Sequence, residues 1–180
     1  MLEIELHPAQ VEDKSILRNL MELCTYDFTE YDGADVDEHG LYGYHRLDHY
    51  WTEEGRSPFL VRVSGKWAGL ALVREVTLPD GRPAHSIAEF FIMRKYRQQG
   101  VGRIVAQRLF DMFPGAWEIG QLASNAPAQA FWRSVIADYT GGRFEEVQRA
   151  DWDGPMLQFD TGGTAEISNH YLRRNFNGTR

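Results

Sequence analysis

The stretch Tyr96-Arg97-Gln98-Gln99-Gly100-Val101-Gly102-Arg103 constrains this chain more than any other. It joins an apolar run, Ile87 to Met93, to a helical pattern, Val101 to Phe113. A strand that ends in a glycine-rich turn and opens a helix leaves main-chain N–H groups without acceptors. Those groups converge where the helix also carries partial positive charge, which makes an anion site. Gly100 and Gly102 allow close approach to the main chain, and Arg97 and Arg103 add full charges. A dinucleotide fingerprint would need a third glycine, and a triphosphate loop would need Gly-Lys-Ser/Thr; neither is present. On these residues alone, a tight turn that holds no ligand remains the alternative.

The 180 residues suit one domain, expected over 1–163, followed by a polar tail, 164–180. A net charge of -7 argues against nucleic-acid binding. No apolar run reaches membrane-spanning length, and Met1-Leu2-Glu3-Ile4-Glu5 lacks the features of a secretion signal, so no membrane partner is expected. Cys24, the single cysteine, cannot form an internal disulfide and reads as a core residue; a cytoplasmic location follows as the expectation.

Periodicity orders the rest. Leu2 to Leu6 alternates like a strand, and Ile16, Leu17, Leu20, Leu23 and Cys24 recur at helical spacing. From Tyr26 to His45 the chain carries Asp27, Glu30, Asp32, Asp35, Asp37 and Glu38 without a Lys or Arg, interleaved with Tyr26, Phe28, Tyr31, Tyr42 and Tyr44. Such a segment is either a solvated acidic loop or a pocket for a cationic guest, with Tyr26, Phe28, Tyr31 and Asp32 as candidate substrate contacts. A helix is expected from Leu41 to Trp51. It would put His45 and His49 on one face, but no third ligand matches them and no metal site is expected. Ser57 to Val63 and Trp67 to Val76 predict a hairpin, and His85 to Met93 a further strand. The next helix is expected to bury Val101, Ile104, Val105, Leu109 and Met112. Ala116 to Ala123 predicts a strand, and Asn125 with Pro127 the start of a helix. Phe144 to Trp152 and Met156 to Phe159 predict a last hairpin.

The resulting order is strand, two helices, three strands, helix, strand, helix, two strands. With Arg97-x-x-Gly100-x-Gly102 after the fourth strand and Asn125-x-x-Ala128-x-x-Phe131-Trp132 further on, the chain resembles the GNAT superfamily of N-acetyltransferases over roughly residues 2 to 160. The resemblance implies an α/β (α+β) GNAT fold, a mixed sheet of about six to seven strands flanked by about four helices. It implies acetyl-CoA as acetyl donor. Phe91, Ile92 and Met93 would offer main-chain groups to the pantetheine arm. Arg97, Gln98, Gln99, Gly100, Val101, Gly102 and Arg103 would hold the pyrophosphate, and Asn125, Phe131 and Trp132 would lie along the coenzyme.

Glu89 is the only charged residue between His85 and Met93, and a carboxyl in apolar surroundings becomes a better base near neutral pH. By resemblance it is the candidate general base; a solvated or Arg-paired glutamate is the alternative, and His85 a second candidate. Where the family often carries a tyrosine that protonates the leaving thiolate, this chain has Trp132, whose indole N–H is no usable acid. Tyr139, seven residues on, is the candidate in its place. The expected function is acetyl transfer from acetyl-CoA to a primary amine, a small cationic molecule, in a ternary complex; a non-catalytic acyl-CoA-binding module is the other reading. A homodimer is compatible with the resemblance and is not decided by these residues.

Overall fold

The computed structural model describes residues 2–162, and the expected polar tail lies outside the described residues. The elements run β1 (Ile4–Pro8), α1 (Lys14–Asp32), α2 (His49–Thr52), β2 (Arg56–Val63), β3 (Lys66–Thr77), β4 (Pro83–Ile92), α3 (Val101–Met112), β5 (Ala116–Gly120), α4 (Ala126–Thr140), β6 (Phe144–Val147) and β7 (Met156–Asp160). The strands form a seven-stranded sheet in the order β1-β2-β3-β4-β5-β7-β6. Its ladders are mixed: β1–β2, β2–β3, β5–β7 and β6–β7 are antiparallel, and β4 runs parallel to β5 at His85↔Trp117. Among the described residues this is the expected α/β order with four α-helices. The chain divides into two compact units: residues up to Arg74 with Ile87–Val101, and Glu75–Ser86 with the residues from Gly102 on.

In the first unit, Leu17, Leu20, Met21 and Cys24 of α1 pack with Leu60, Leu70, Leu72 and Phe91 of the strands. Helical spacing brings the first set to one face and strand alternation the second. Each such side chain contributes about 1.5–3 kcal/mol on burial. Gly69 permits the close approach of β4, since a Cβ there would lie 2.0 Å from the Phe91 carbonyl oxygen.

Two expectations are corrected in this unit. The helix does not stop near Cys24: Tyr26 to Asp32 form the last two turns of α1, because no breaker precedes Gly33, which ends the helix at φ 68° with its N–H on the Thr29 carbonyl. The expected helix from Leu41 shrinks to His49–Thr52. Gly40 and Gly43 take the left-handed conformation, at φ 75° and 66°, which interrupts a helix before it forms. His45 therefore shares no helix face with His49, and the described residues include no group of three or more potential metal ligands.

In the second unit the core forms around Trp117, fully buried among Phe110, Phe113 and Phe159, with Phe159 stacked parallel to it. From this unit α3 contributes Val105, Ala106, Leu109 and Phe110 to the buried set. Ile104 is exposed and Met112 only partly covered, because the buried stripe is turned toward Phe110 and its edge-on contact with Trp117. Asn125 caps α4, its side-chain oxygen accepting from the Ala128 N–H at 3.0 Å, and Gly141 ends the helix at φ 65°. β5 stops at Gly120 and β6 at Val147, both shorter than expected.

Candidate active site

Glu89 lies on β4 two residues before Phe91, so both side chains point to the face that α1 covers. Its carboxyl is half-buried and, among the described residues, forms no ion pair. Burial pushes its pKa up to about 7, offset in part by the Tyr44 hydroxyl hydrogen bond and the Arg74 charge. A carboxyl of this kind takes a proton at neutral pH and still exists as the anion often enough to act. Cys24, also beside it, is held as a neutral thiol by burial and then by the Glu89 charge.

Tyr44 and its anchor were not legible as parts of this site in the sequence. The loop before α2 is fastened to α1 by Glu22, whose carboxylate accepts the N–H groups of Tyr42 at 2.8 Å and Gly43 at 3.0 Å. The next residue, Tyr44, thereby reaches Glu89. Burial, then the Glu89 carboxyl, raises the pKa of the Tyr44 phenol, which remains a neutral hydrogen-bond donor. No periodic signal marks Glu22, since its function depends on a partner twenty residues away.

The glycine-rich turn has the left-handed residues Gln98 (φ 59°) and Gly100 (φ 79°), preceded by a 3-10 turn, Arg94–Tyr96. Open space adjoins Gly100, so its glycine answers the backbone angle rather than a crowded neighbour. Gly102 lies inside α3, whose first amides lack intrahelical acceptors. These features fit a pyrophosphate, whereas the arginines are not free. Arg97 donates to Asp27 at 2.5 Å and to the Ile92 carbonyl at 2.6 Å, and Arg94 holds the other Asp27 oxygen at 2.9 Å. The guanidinium of Arg103 is paired with Asp138 and donates to Ser134 at 2.9 Å. The Gln99 side chain folds back onto the Lys95 carbonyl, and Val101 is fully buried. Just after β4 the Met93 N–H is engaged by the Ala68 carbonyl. Phe91 is a core residue beneath the Arg97 guanidinium.

The remaining candidates have structural partners. The Tyr139 hydroxyl donates to Asp111 Oδ1 at 2.6 Å, and burial with that carboxylate raises its pKa. Losing a proton there would set a phenolate against a carboxylate, so this geometry gives the acid role no support. Trp132 is buried and meets the Phe131 ring edge-on. His85 packs against Phe113 and Trp117 in the second unit, with burial lowering its pKa, and reads as a core ring rather than a base. Of the acceptor candidates, Tyr26 is 63% exposed and Phe28 meets Tyr31 edge-on. The acids of that segment are mostly committed: Asp27 to two arginines, Asp32 to the Ala34 N–H, Asp37 to the N–H groups of His39 and Leu41.

A mixed seven-stranded sheet with a glycine-rich turn between β4 and α3 is the arrangement of the GNAT fold. The model of the acetyltransferase (GNAT) family matches residues 17–135, and the chain belongs to that family. It is an acetyl-CoA-dependent N-acetyltransferase. No curated protein matches the sequence significantly. Among solved structures, an acetyltransferase from Thermus thermophilus is similar at TM-score 0.67 and 16% identity, covering 87% of this chain and 96% of that one. Spermidine N-acetyltransferase from Vibrio cholerae, solved with CoA and spermine, gives 0.61 and 13%, covering 88% and 95%. The ribosomal-protein-S18-alanine N-acetyltransferase from Escherichia coli gives 0.57 and 16%, covering 92% and 97%. At these identities the likeness speaks for the fold. No helix among the described residues is long and apolar enough to cross a membrane.

Proposed function

We propose that Glu89 is the general base for acetyl transfer to the primary amine of a small acceptor, in a ternary complex. The single observation that carries this reading is a half-buried carboxyl with its pKa near 7 and no ion pair among the described residues, on the strand that leads into the turn. Acetyl-CoA supplies a thioester carbonyl and a thiolate leaving group. Glu89 takes a proton from the acceptor ammonium, either directly or through water, and frees the lone pair that forms the C–N bond as the C–S bond breaks. Tyr44 keeps the carboxyl oriented. The amides at Gln98 to Arg103 hold the pyrophosphate, chiefly through the main chain, since both arginines are already paired. Cys24 is a neutral buried thiol, which disfavours a covalent acyl-enzyme and fits a reducing, cytoplasmic compartment.

A small cationic acceptor is supported only by Glu30 and Asp35, exposed acids that keep no structural partner among the described residues, together with Tyr26. The test is thiol release from acetyl-CoA across a panel of amines, with Glu89→Gln in parallel. Amine-dependent release that falls at least about a hundredfold in the variant near pH 7 supports the assignment. Undiminished release removes Glu89 from it. Coenzyme binding without any amine-dependent release would favour the binding-module reading.

A further inference from the structure

The face of the first unit that carries Glu89 holds two arginines that strand pairing sets side by side. Arg56 of β2 and Arg74 of β3 are direct cross-strand partners, an arrangement that like charges ordinarily oppose. β4, bearing Glu89, is the next strand in the sheet. Strand alternation puts Arg74 on the same face as Leu70 and Leu72, and Glu89 on that of Phe91, the face packed by α1 and Tyr50.

The arginines of β2 and β3 are satisfied very differently. Arg56 pairs with Glu53 at 2.6 Å and lies over the Tyr50 ring at 5.4 Å. Arg62, whose Nε is also buried without a hydrogen-bond partner, lies over the Trp67 ring at 3.8 Å. Arg74 has neither: among the described residues its guanidinium has no ion-pair or hydrogen-bond partner, and its Nε is buried without one. Tyr50 is 3% exposed, and its hydroxyl is buried without a well-formed hydrogen bond. Arg56 approaches that hydroxyl only as a donor, so the hydroxyl proton still lacks an acceptor. The charges of Arg74 and Glu89 both act on Tyr50. Two orphaned donors thus stand beside the proposed base. A guanidinium without a partner gains most from a planar anion that accepts two parallel N–H bonds, and a buried hydroxyl gains from an acceptor. Glu89 does not serve as that anion, since it forms no ion pair among the described residues.

Resting on the reading of Glu89 as the base, we propose that the acceptor is an amino-carboxylate. Its carboxylate is held by Arg74 with the Tyr50 hydroxyl as second donor, and its amino group lies toward Glu89. An amine with no anionic group would leave both donors unmatched, and a polycation would add repulsion from Arg74.

The experiment compares lysine with lysine amide and 1,5-diaminopentane. These share the terminal amine and differ in the carboxylate. Glycine and methylamine form a second pair with a short spacing between amine and carboxylate. Thiol release and calorimetric binding to the CoA-loaded protein are both measured, on wild type, Arg74→Gln and Arg74→Lys. The expected result is a preference of at least about tenfold in kcat/KM or affinity for the carboxylate-bearing member of one pair. Arg74→Gln should abolish it through KM, Arg74→Lys should keep part of it, and CoA affinity should not move. Turnover without carboxylate preference, or a preference that survives Arg74→Gln, overturns the inference and leaves the acetyltransferase reading intact. Carboxylate-dependent binding lost in Arg74→Gln, with no thiol release from any amine, supports this inference and counts against catalysis. Neither turnover nor carboxylate-dependent binding overturns it.

Discussion

Glu89 and Glu118 are both covered carboxyls on sheet strands, yet their surroundings differ in kind. Glu118 is 4% exposed; it accepts from Arg149 at 2.8 Å and from Gln158 at 2.6 Å, and Arg149 is held further by Asp151. Glu89 is less covered but forms no ion pair among the described residues, although Arg74 is close enough to pull on its proton. Burial alone is therefore not what distinguishes the two carboxyls; pairing is. A paired carboxylate is a fixed anion that ties strands together, whereas an unpaired one in apolar surroundings has its ionisation held near neutrality.

The largest effect that separates the two is on rate. With wild type, kcat/KM for amine acetylation should fall about tenfold per pH unit below about 7 and flatten above it, because the base must be ionised. Glu118→Gln should keep that limb, and Glu89→Gln should lose it. Steady-state thiol release from pH 5.5 to 8.5 reads this, and an unchanged limb in Glu89→Gln would separate the pH dependence from this carboxyl.

Stability should respond with opposite signs. The Glu89 pKa is raised in the folded state, so its favourable contribution is complete below the unfolded value of 4.5 and is lost as pH rises through about 7. Glu89→Gln should therefore stabilise the protein at pH 8, by about 1–3 kcal/mol, and have little effect near pH 4.5. Glu118→Gln leaves Arg149 with a weaker acceptor and should destabilise at both pH values, by about 1–3 kcal/mol. Urea denaturation at the two pH values checks both, and a shared sign would erase the distinction.

A smaller effect concerns His85, whose pKa burial lowers below the ordinary 6.5. The unfolded chain then binds more protons, so stability is full above 6.5 and declines as pH falls below it. His85→Asn should lessen the part of that acid-side decline due to the ring, measured by thermal unfolding between pH 7 and 5. Smallest is Tyr139→Phe, which removes one hydrogen bond to Asp111 at an exposed site and should cost about 1 kcal/mol or less. kcat should not change; a large fall would return Tyr139 to the chemistry.

Much of the fold was legible because its signals are local. The turn at Gln98 to Gly102, the cap at Asn125 and the stop at Gly141 depend on residues within a few positions of one another. Strand and helix periods likewise ordered the eleven elements correctly. The run from Leu41 failed as a helix because Gly40 and Gly43 adopt left-handed angles, and because Glu22, far along the chain, offers the loop amides another partner.

The identity of Glu89 as the odd carboxyl on its strand came from the sequence alone, as did the glycine-rich turn between strand and helix, because composition and spacing state both. The tertiary structure alone decided which charges remain available. Asp27 meets Arg94 and Arg97 across 67 and 70 positions, Arg149 meets Glu118 across 31, and Arg74 forms no ion pair among the described residues. Ion pairing depends on distances of a few ångströms between side chains brought together by folding, and no spacing in a linear sequence specifies them.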